Sequence, residues 1–115
     1  MISVIIASFK EPKTIGRCIS SIVNRKYSGI PTSFEIIQVS PDEETLNAGK
    51  KEAKKYRLGK KYIQIKDPKK GKPYALRMAF KQAKGDIFIL TDGDTYFEKN
   101  AVKKLLEPFE DKKVG

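Results

Sequence analysis

The chain has no histidine and one cysteine, Cys18. That shortage argues against a zinc site, which draws on imidazole and thiolate ligands. Any bound metal would be a hard cation held by oxygen atoms. A lone cysteine also excludes an internal disulfide and suits a reducing compartment. Cys18 has no histidine to activate it as a nucleophile, and its place among apolar residues at helical spacing reads as core packing. Long apolar runs are missing as well. None approaches the length that spans a bilayer, and no basic residues precede the first one, Ile2-Ser3-Val4-Ile5-Ile6, as they would in a secretory signal. The expected location is cytoplasmic, with the inner face of a membrane as the alternative.

Acidic residues are scarce beside basic ones, 14 against 24, which leaves a net charge of +10. Such a balance attracts nucleotide phosphates, nucleic acid or an acidic membrane surface. Many scattered lysines do no more than keep a surface solvated. Two phosphate-binding signatures are absent. Gly71-Lys72 lacks the spaced glycines and the following Ser or Thr of a P-loop, and no Gly-x-Gly-x-x-Gly follows the first apolar run.

What is present is a chain of 115 residues, 39% hydrophobic and 33% charged. That size favours one domain with one core. No repeat, low-complexity stretch or linker interrupts it. Residues 2–8 form a β-branched apolar run suited to a strand buried on both faces. Pro12 is placed to open a helix, and Ile15, Cys18, Ile19, Ile22 and Val23 give it one apolar face. Residues 27–31 break that helix. A second strand is expected at 34–39. A helix with Glu43 and Glu44 in its first turn is expected at about 43–57, with Gly49 interrupting it. A short strand at 62–65 leads into the basic loop 66–73. The next helix puts Tyr74, Ala75, Met78, Ala79, Gln82 and Ala83 on one face and ends at Gly85. A buried strand at 86–90 and a helix at about 99–109 follow, the latter with Ala101, Val102, Leu105, Leu106 and Phe109 inward. Residues 112–115 read as the start of a further strand. Strands alternating with helices imply βαβ units, a parallel sheet and helices on both of its faces.

Ligands of such sheets bind at the carboxyl ends of the strands. Three polar segments fall there: Ser8-Phe9-Lys10-Glu11, Ser40-Pro41-Asp42-Glu43 and Thr91-Asp92-Gly93-Asp94. An aromatic ring, several carboxylates and several lysines suit a nucleoside diphosphate with a divalent metal. Asp-Gly-Asp alone is an ordinary turn sequence. After a buried strand, two converging carboxylates repel each other unless a cation lies between them.

These segments, in this order, resemble the amino-terminal, nucleotide-sugar-binding part of family-2 glycosyltransferases with a GT-A fold. VIIASFKEPKTIGRCISSIV is similar to the opening strand, loop and helix. FEIIQVSPDEET is similar to the second strand and its acidic loop. KGKPYALRMAFKQAKGDIFILTDGDTYFEKNAVKKLL is similar to the Gly-Lys-x-x-Ala-Leu helix, the fourth strand, the Asp-X-Asp motif and the helix after it. The resemblance implies a Rossmann-like three-layer α/β/α fold with a mainly parallel sheet, in truncated form. It implies that residues 1–115 are a single donor-binding domain without the acceptor half. Phe9, beside Ser8, would contact the base, and Glu11 would meet the nucleotide. Asp42 or Ser40 would stand in for the base-binding aspartate, where this chain departs from the usual Asp-Asp-Gly-Ser. Lys72 would lie near the diphosphate, Asp92 near the ribose, and Asp94, with Asp92, at Mg²⁺ or Mn²⁺. Arg77 stands where asparagine is common. The implied reaction is inverting transfer to an unknown acceptor, with a lipid phosphate or polysaccharide as candidates. No residue is assigned as the catalytic base, so this chain alone is expected to be inactive. Homo-oligomerisation is a further expectation, because missing elements would expose a sheet edge or an apolar patch. A basic module that binds nucleic acid or an acidic membrane is the alternative; its support is the net charge alone. A nucleotidyltransferase would need a Gly-rich basic loop after the first strand, which is absent.

Overall fold

A computed structural model describes residues 1–110. Strands β1 (Ile2–Ala7), β2 (Phe34–Ser40), β3 (Tyr62–Lys66) and β4 (Ile87–Asp92) form one sheet in the order β3-β2-β1-β4. Every pairing is parallel. The run of β-branched residues in β1 is explained by its central place. Val4, Ile5 and Ile6 are fully buried, with a strand on either edge and helices over both faces.

Helices α1 (Ile15–Val23), α3 (Glu43–Lys55) and α5 (Ala101–Glu110) cover one face, and α2 (Arg25–Ser28) is a single turn ending at Gly29. Ile2, Val4, Ile6, Phe34 and Ile36 pack there against Ile15, Ile19, Ile22, Val102 and Leu106. Among the described residues the other face carries α4 (Lys72–Gln82) alone, where Ala75 and Ala79 sit on Ile5, Ile37, Val39 and Ile65. Burial of each isoleucine contributes about 1.5–3 kcal/mol. The chain steps outward from β1 to β3 and then returns to the far side of β1. With crossovers of one hand, that reversal puts α4 on the face opposite α1 and α3.

Several expectations are corrected in detail. Pro12 lies in a turn ahead of α1, which begins at Ile15 after Thr14. Gly85 does not cap α4. Ala83 does, and the Gly85 N–H instead donates to Ser3 Oγ at 2.8 Å. Tyr74 and Gln82 are exposed, because α4 meets the sheet along a narrow line of alanines. On α5, Val102 and Leu106 are buried but Leu105 and Phe109 are exposed. β4 is not buried on both faces: Ile89 is inside, whereas Phe88 and Leu90 are exposed. The reason is its edge position: α4 lies mainly over β1 and β2 and leaves this face of β4 largely open. Phe88 stacks on Phe80 of α4 at 5.5 Å between ring centroids, outside the core. The strand expected at 112–115 lies outside the described residues. No helix among the described residues is long and apolar enough to cross a membrane.

Gly49 does not weaken α3; it lets α3 approach the sheet. Gln38 is fully buried beneath it, donating from Nε2 to Ser40 Oγ at 3.1 Å and Thr45 O at 3.0 Å, and accepting from the Tyr62 hydroxyl. A Cβ at position 49 would overlap the Gln38 amide and come within 2.8 Å of the Tyr62 hydroxyl. Alanine gains about 1 kcal/mol of helix propensity over glycine, but overpacking costs about 1–3 kcal/mol and the displaced amide loses hydrogen bonds. We therefore expect Gly49→Ala to lower the melting temperature by about 5 °C. A rise in melting temperature would contradict this close packing.

Candidate functional site

The parallel register sets three strand ends side by side. Ala7 of β1 lies opposite Val39 of β2 on one edge and Asp92 of β4 on the other. Strand order reverses between β1 and β4, the place where open parallel sheets bind ligands. A cleft of about 480 Å³ opens at this edge. Ala7, Val39, Pro41 and Ala75 give it an apolar wall, and Phe9 stands at it with 55% of its surface exposed. Its charged lining opposes Lys10, Lys69 and Lys72 to Glu11, Asp67 and Asp92. The Lys72 ammonium and the Asp92 carboxylate pair at 3.1 Å, both well exposed. Lys72 is the first residue of α4, whose amino terminus has no side-chain cap and opens beside Gly71 on the same cleft.

A second cleft of about 790 Å³ adjoins the first and is acidic: Glu11, Asp42, Glu43, Glu44 and Asp94 line it with Lys10 and Lys13. Lys10 and Glu11 line both clefts and form the ridge between them. Asp92 and Asp94 therefore do not share one cleft. The turn between them is fixed by backbone contact. The Gly93 N–H donates to Ala7 O at 3.2 Å, and a Cβ on Gly93 would lie 2.5 Å from the Ser8 Cβ. Glycine is needed here because two strand ends touch. Downstream, the Phe97 N–H donates to Ser21 Oγ at 3.0 Å and ties the loop to α1.

Ser8 and Ser40 are buried and hydrogen-bonded to each other through their hydroxyls. They join β1 to β2, and only Ser8 lines the cleft. Asp42 caps α3: its Oδ2 accepts from the Thr45 N–H at 3.2 Å and the Thr45 hydroxyl at 2.6 Å, and its Oδ1 from the Lys10 N–H at 3.0 Å. Partial burial acts to raise its pKa, but these hydrogen bonds outweigh burial and hold the carboxyl below its ordinary value. Arg77 lies exposed on α4, outside the lining of both clefts. Cys18 is buried, with its thiol near the Asp92 carbonyl at 3.6 Å. Burial, with the carboxylates of Glu11, Asp94 and Asp92, pushes the thiol up to about 12, so it stays protonated at neutral pH. Asp67 and Lys69 line the cleft from the basic loop 66–73, which is expected beside the strand ends without these two being singled out. Thr45 is not singled out either, although the Asp-Glu-Glu-Thr spacing of a capped helix start marks it.

Among the described residues, no three His, Cys, Asp or Glu side chains gather closely enough to hold a metal ion by themselves. Mg²⁺ takes one or two protein carboxylates and completes its shell from phosphate and water. The exposed Asp94, with Glu11 close enough to feel its charge, fits that donor set.

Residues 3–115 match the sequence profile of Glycosyl transferase family 2. The chain belongs to this family. It is 28% identical over 109 residues to the dolichyl N-acetyl-alpha-D-glucosaminyl phosphate 3-beta-D-2,3-diacetamido-2,3-dideoxy-beta-D-glucuronosyltransferase of Methanococcus voltae, an alignment covering 95% of this chain and 34% of that protein. It is 28% identical over 116 residues to an N-acetylglucosaminyltransferase of Azorhizobium caulinodans, covering 99% of this chain and 28% of the relative. The chain thus spans about a third of the length of these curated relatives. Among solved structures, the mannosyltransferase PcManGT of Pyrobaculum calidifontis, in complex with GDP-Man and Mn²⁺, superposes with a TM-score of 0.77 at 20% identity, over 95% of this chain and 31% of that one. TarS 1–349 of S. aureus, in complex with UDP-GlcNAc, superposes with a TM-score of 0.71 at 24% identity, over 95% and 31%. The likeness establishes the GT-A type of α/β fold for this family-2 chain.

Glu11 carries an electrostatic signature of the site. Burial raises its pKa above the ordinary 4.5, and the carboxylates of Asp94, Asp92 and Asp42 add to that rise; the Phe9 N–H, donating to it at 3.2 Å, opposes it. A carboxyl raised on folding binds more protons folded than unfolded. It therefore lowers stability above its folded pKa, and the penalty disappears as the pH falls below the unfolded value. Glu11→Gln keeps the acceptor for the Phe9 N–H and removes the charge. The melting temperature of the variant minus that of the wild type should be larger at about pH 7 than at about pH 4. A difference that is flat across this range would mean that the neighbouring carboxylates do not act on Glu11.

Proposed function

We propose that this chain is the donor-binding part of a glycosyltransferase, holding a nucleoside diphosphate sugar with Mg²⁺ or Mn²⁺ for inverting transfer to an acceptor. One observation carries the reading: in a chain of this family, Phe9, Glu11, Lys72 and Asp92 meet in one cleft at the β1/β4 reversal. Phe9, exposed against an apolar wall, supplies a stacking face for the base. Lys72 and the uncapped amino terminus of α4 supply positive charge for the diphosphate. Asp92 would accept from the ribose hydroxyls. Its pairing with Lys72 must loosen when the diphosphate takes the ammonium, at small cost, since exposed ion pairs are worth about 0–1 kcal/mol. Asp94 would hold the metal, which when bound stabilises the charge developing on the departing nucleoside diphosphate. The names of PcManGT in complex with GDP-Man and Mn²⁺ and of TarS in complex with UDP-GlcNAc support the donor class and the metal. The base that takes the acceptor proton is assigned to none of these residues.

Calorimetric titration with a panel of nucleoside diphosphates, with and without Mn²⁺, tests the reading. At least one should bind about tenfold or more tightly with Mn²⁺ than without. Asp94→Ala should abolish that difference, and Lys72→Ala should weaken binding by about tenfold at either condition. Metal enhancement that survives Asp94→Ala would remove the role given to Asp94. Tight, strongly salt-dependent RNA binding without nucleoside diphosphate binding would favour the basic nucleic-acid module instead.

A further inference from the structure

The loop that follows β1 makes its bend with three consecutive N–H groups that no backbone carbonyl among the described residues accepts. The Phe9 N–H goes to Glu11 Oε1 at 3.2 Å, the Lys10 N–H to Asp42 Oδ1 at 3.0 Å, and the Glu11 N–H to Thr45 Oγ1 at 2.9 Å. Lys10 has a φ of 52°, a left-handed conformation that side-chain-bearing residues adopt only when their surroundings impose it. What imposes it is a closed circuit with the start of α3. The Thr45 hydroxyl accepts from Glu11 and donates to Asp42, and Asp42 accepts from Lys10. Thr45 is fully buried, and its carbonyl is held in turn by the buried Gln38 amide at 3.0 Å. The bend is thus anchored to the sheet through a rigid side chain.

We propose that Asp42 and Thr45 are positioning residues, forming a clamp that sets where Phe9 and Glu11 stand at the mouth of the cleft, and that Asp42 does not read the base. Asp42 already spends three of the roughly four acceptor positions of a carboxylate on Lys10 and Thr45. A base-reading carboxylate would need those oxygens free and turned to the ligand. A clamp needs them occupied, as they are. The part of this inference that concerns ligand affinity rests on the proposed nucleotide site; the clamp itself does not.

The two are tested separately. Amide hydrogen exchange on the nucleotide-free protein reads the clamp directly. Asp42→Asn keeps a cap for α3 but replaces one accepting oxygen with a donor, and Thr45→Val removes the hydroxyl. In both, protection of the Lys10 and Glu11 amides should fall by about tenfold or more while the Val4–Ile6 amides stay protected. Thr45→Ser should restore it. In titrations with UDP and GDP, both variants should weaken the two ligands by the same factor, leaving their ratio unchanged. The clamp is overturned if Asp42→Asn leaves the Lys10 amide protected, or if it changes the UDP-to-GDP ratio by about threefold or more while Thr45→Val does not. Should neither nucleotide bind the wild type, the proposed function fails, and the exchange measurement still decides the clamp.

Discussion

Every other element of this chain takes its place from the double pairing of β1. Its hydrogen-bonding groups are used on both edges, by β2 and β4, and Val4, Ile5 and Ile6 are buried between helices on either face. A strand so enclosed cannot slip by one residue without turning its core side chains to the wrong layer. The parallel register is therefore fixed along its whole length, and its carboxyl end becomes a fixed point. Ala7 meets Val39 and Asp92 there, the Gly93 N–H reaches Ala7 O, and the Ser8 N–H reaches Val39 O at 3.0 Å. The cleft is a consequence of this: three chains leave the sheet at one place and diverge.

The charges at that edge follow from the same geometry. Parallel strands bring together the loops that follow them, and here those loops carry Glu11, Asp42, Asp92 and Asp94. The chain meets this concentration of negative charge in three ways. Asp42 is held as an anion by N–H and hydroxyl donors. Asp92 is paired with Lys72. Glu11 is left to bear the field of the others, and its raised pKa records it.

Much of this was legible in the residues, for identifiable reasons. The β-branched run of β1 and the 3.6-residue spacing of Ile15, Cys18, Ile19, Ile22 and Val23 reflect burial, which sequence periodicity reports directly. Phe9, Glu11, Lys72 and Asp92 were placed together because strand ends converge in any parallel sheet. What misled was lateral position. Phe88 and Leu90 look like core residues of a central strand, and nothing local tells that β4 is an edge strand that α4 leaves largely open. Gly49 and Gly85 were read through propensity, as a helix interruption and a cap, whereas contacts with Gln38 and Ser3 from distant strands explain them. Resemblance offers Asp42 or Ser40 to the base. Of the partners of Asp42, Thr45 lies in the first turn of α3, within reach of sequence spacing, but Lys10 comes from the distant loop after β1, and only the folded chain brings it there.

The Asp-Gly-Asp turn shows how a packing constraint can become a chemical one. Gly93 sits so close to Ser8 that no side chain fits, and its N–H is tied to Ala7. The backbone on either side has little freedom. Asp92 ends β4 at one cleft with Lys72, and Asp94 emerges at the other, beyond the ridge of Lys10 and Glu11. Two carboxylates separated by one residue would repel if they shared a cleft. The turn instead directs Asp92 to the first cleft and Asp94 to the second. Glu11, on the ridge between the clefts, feels the charge of both Asp94 and Asp92, and the backbone that holds it there makes its bend at Lys10.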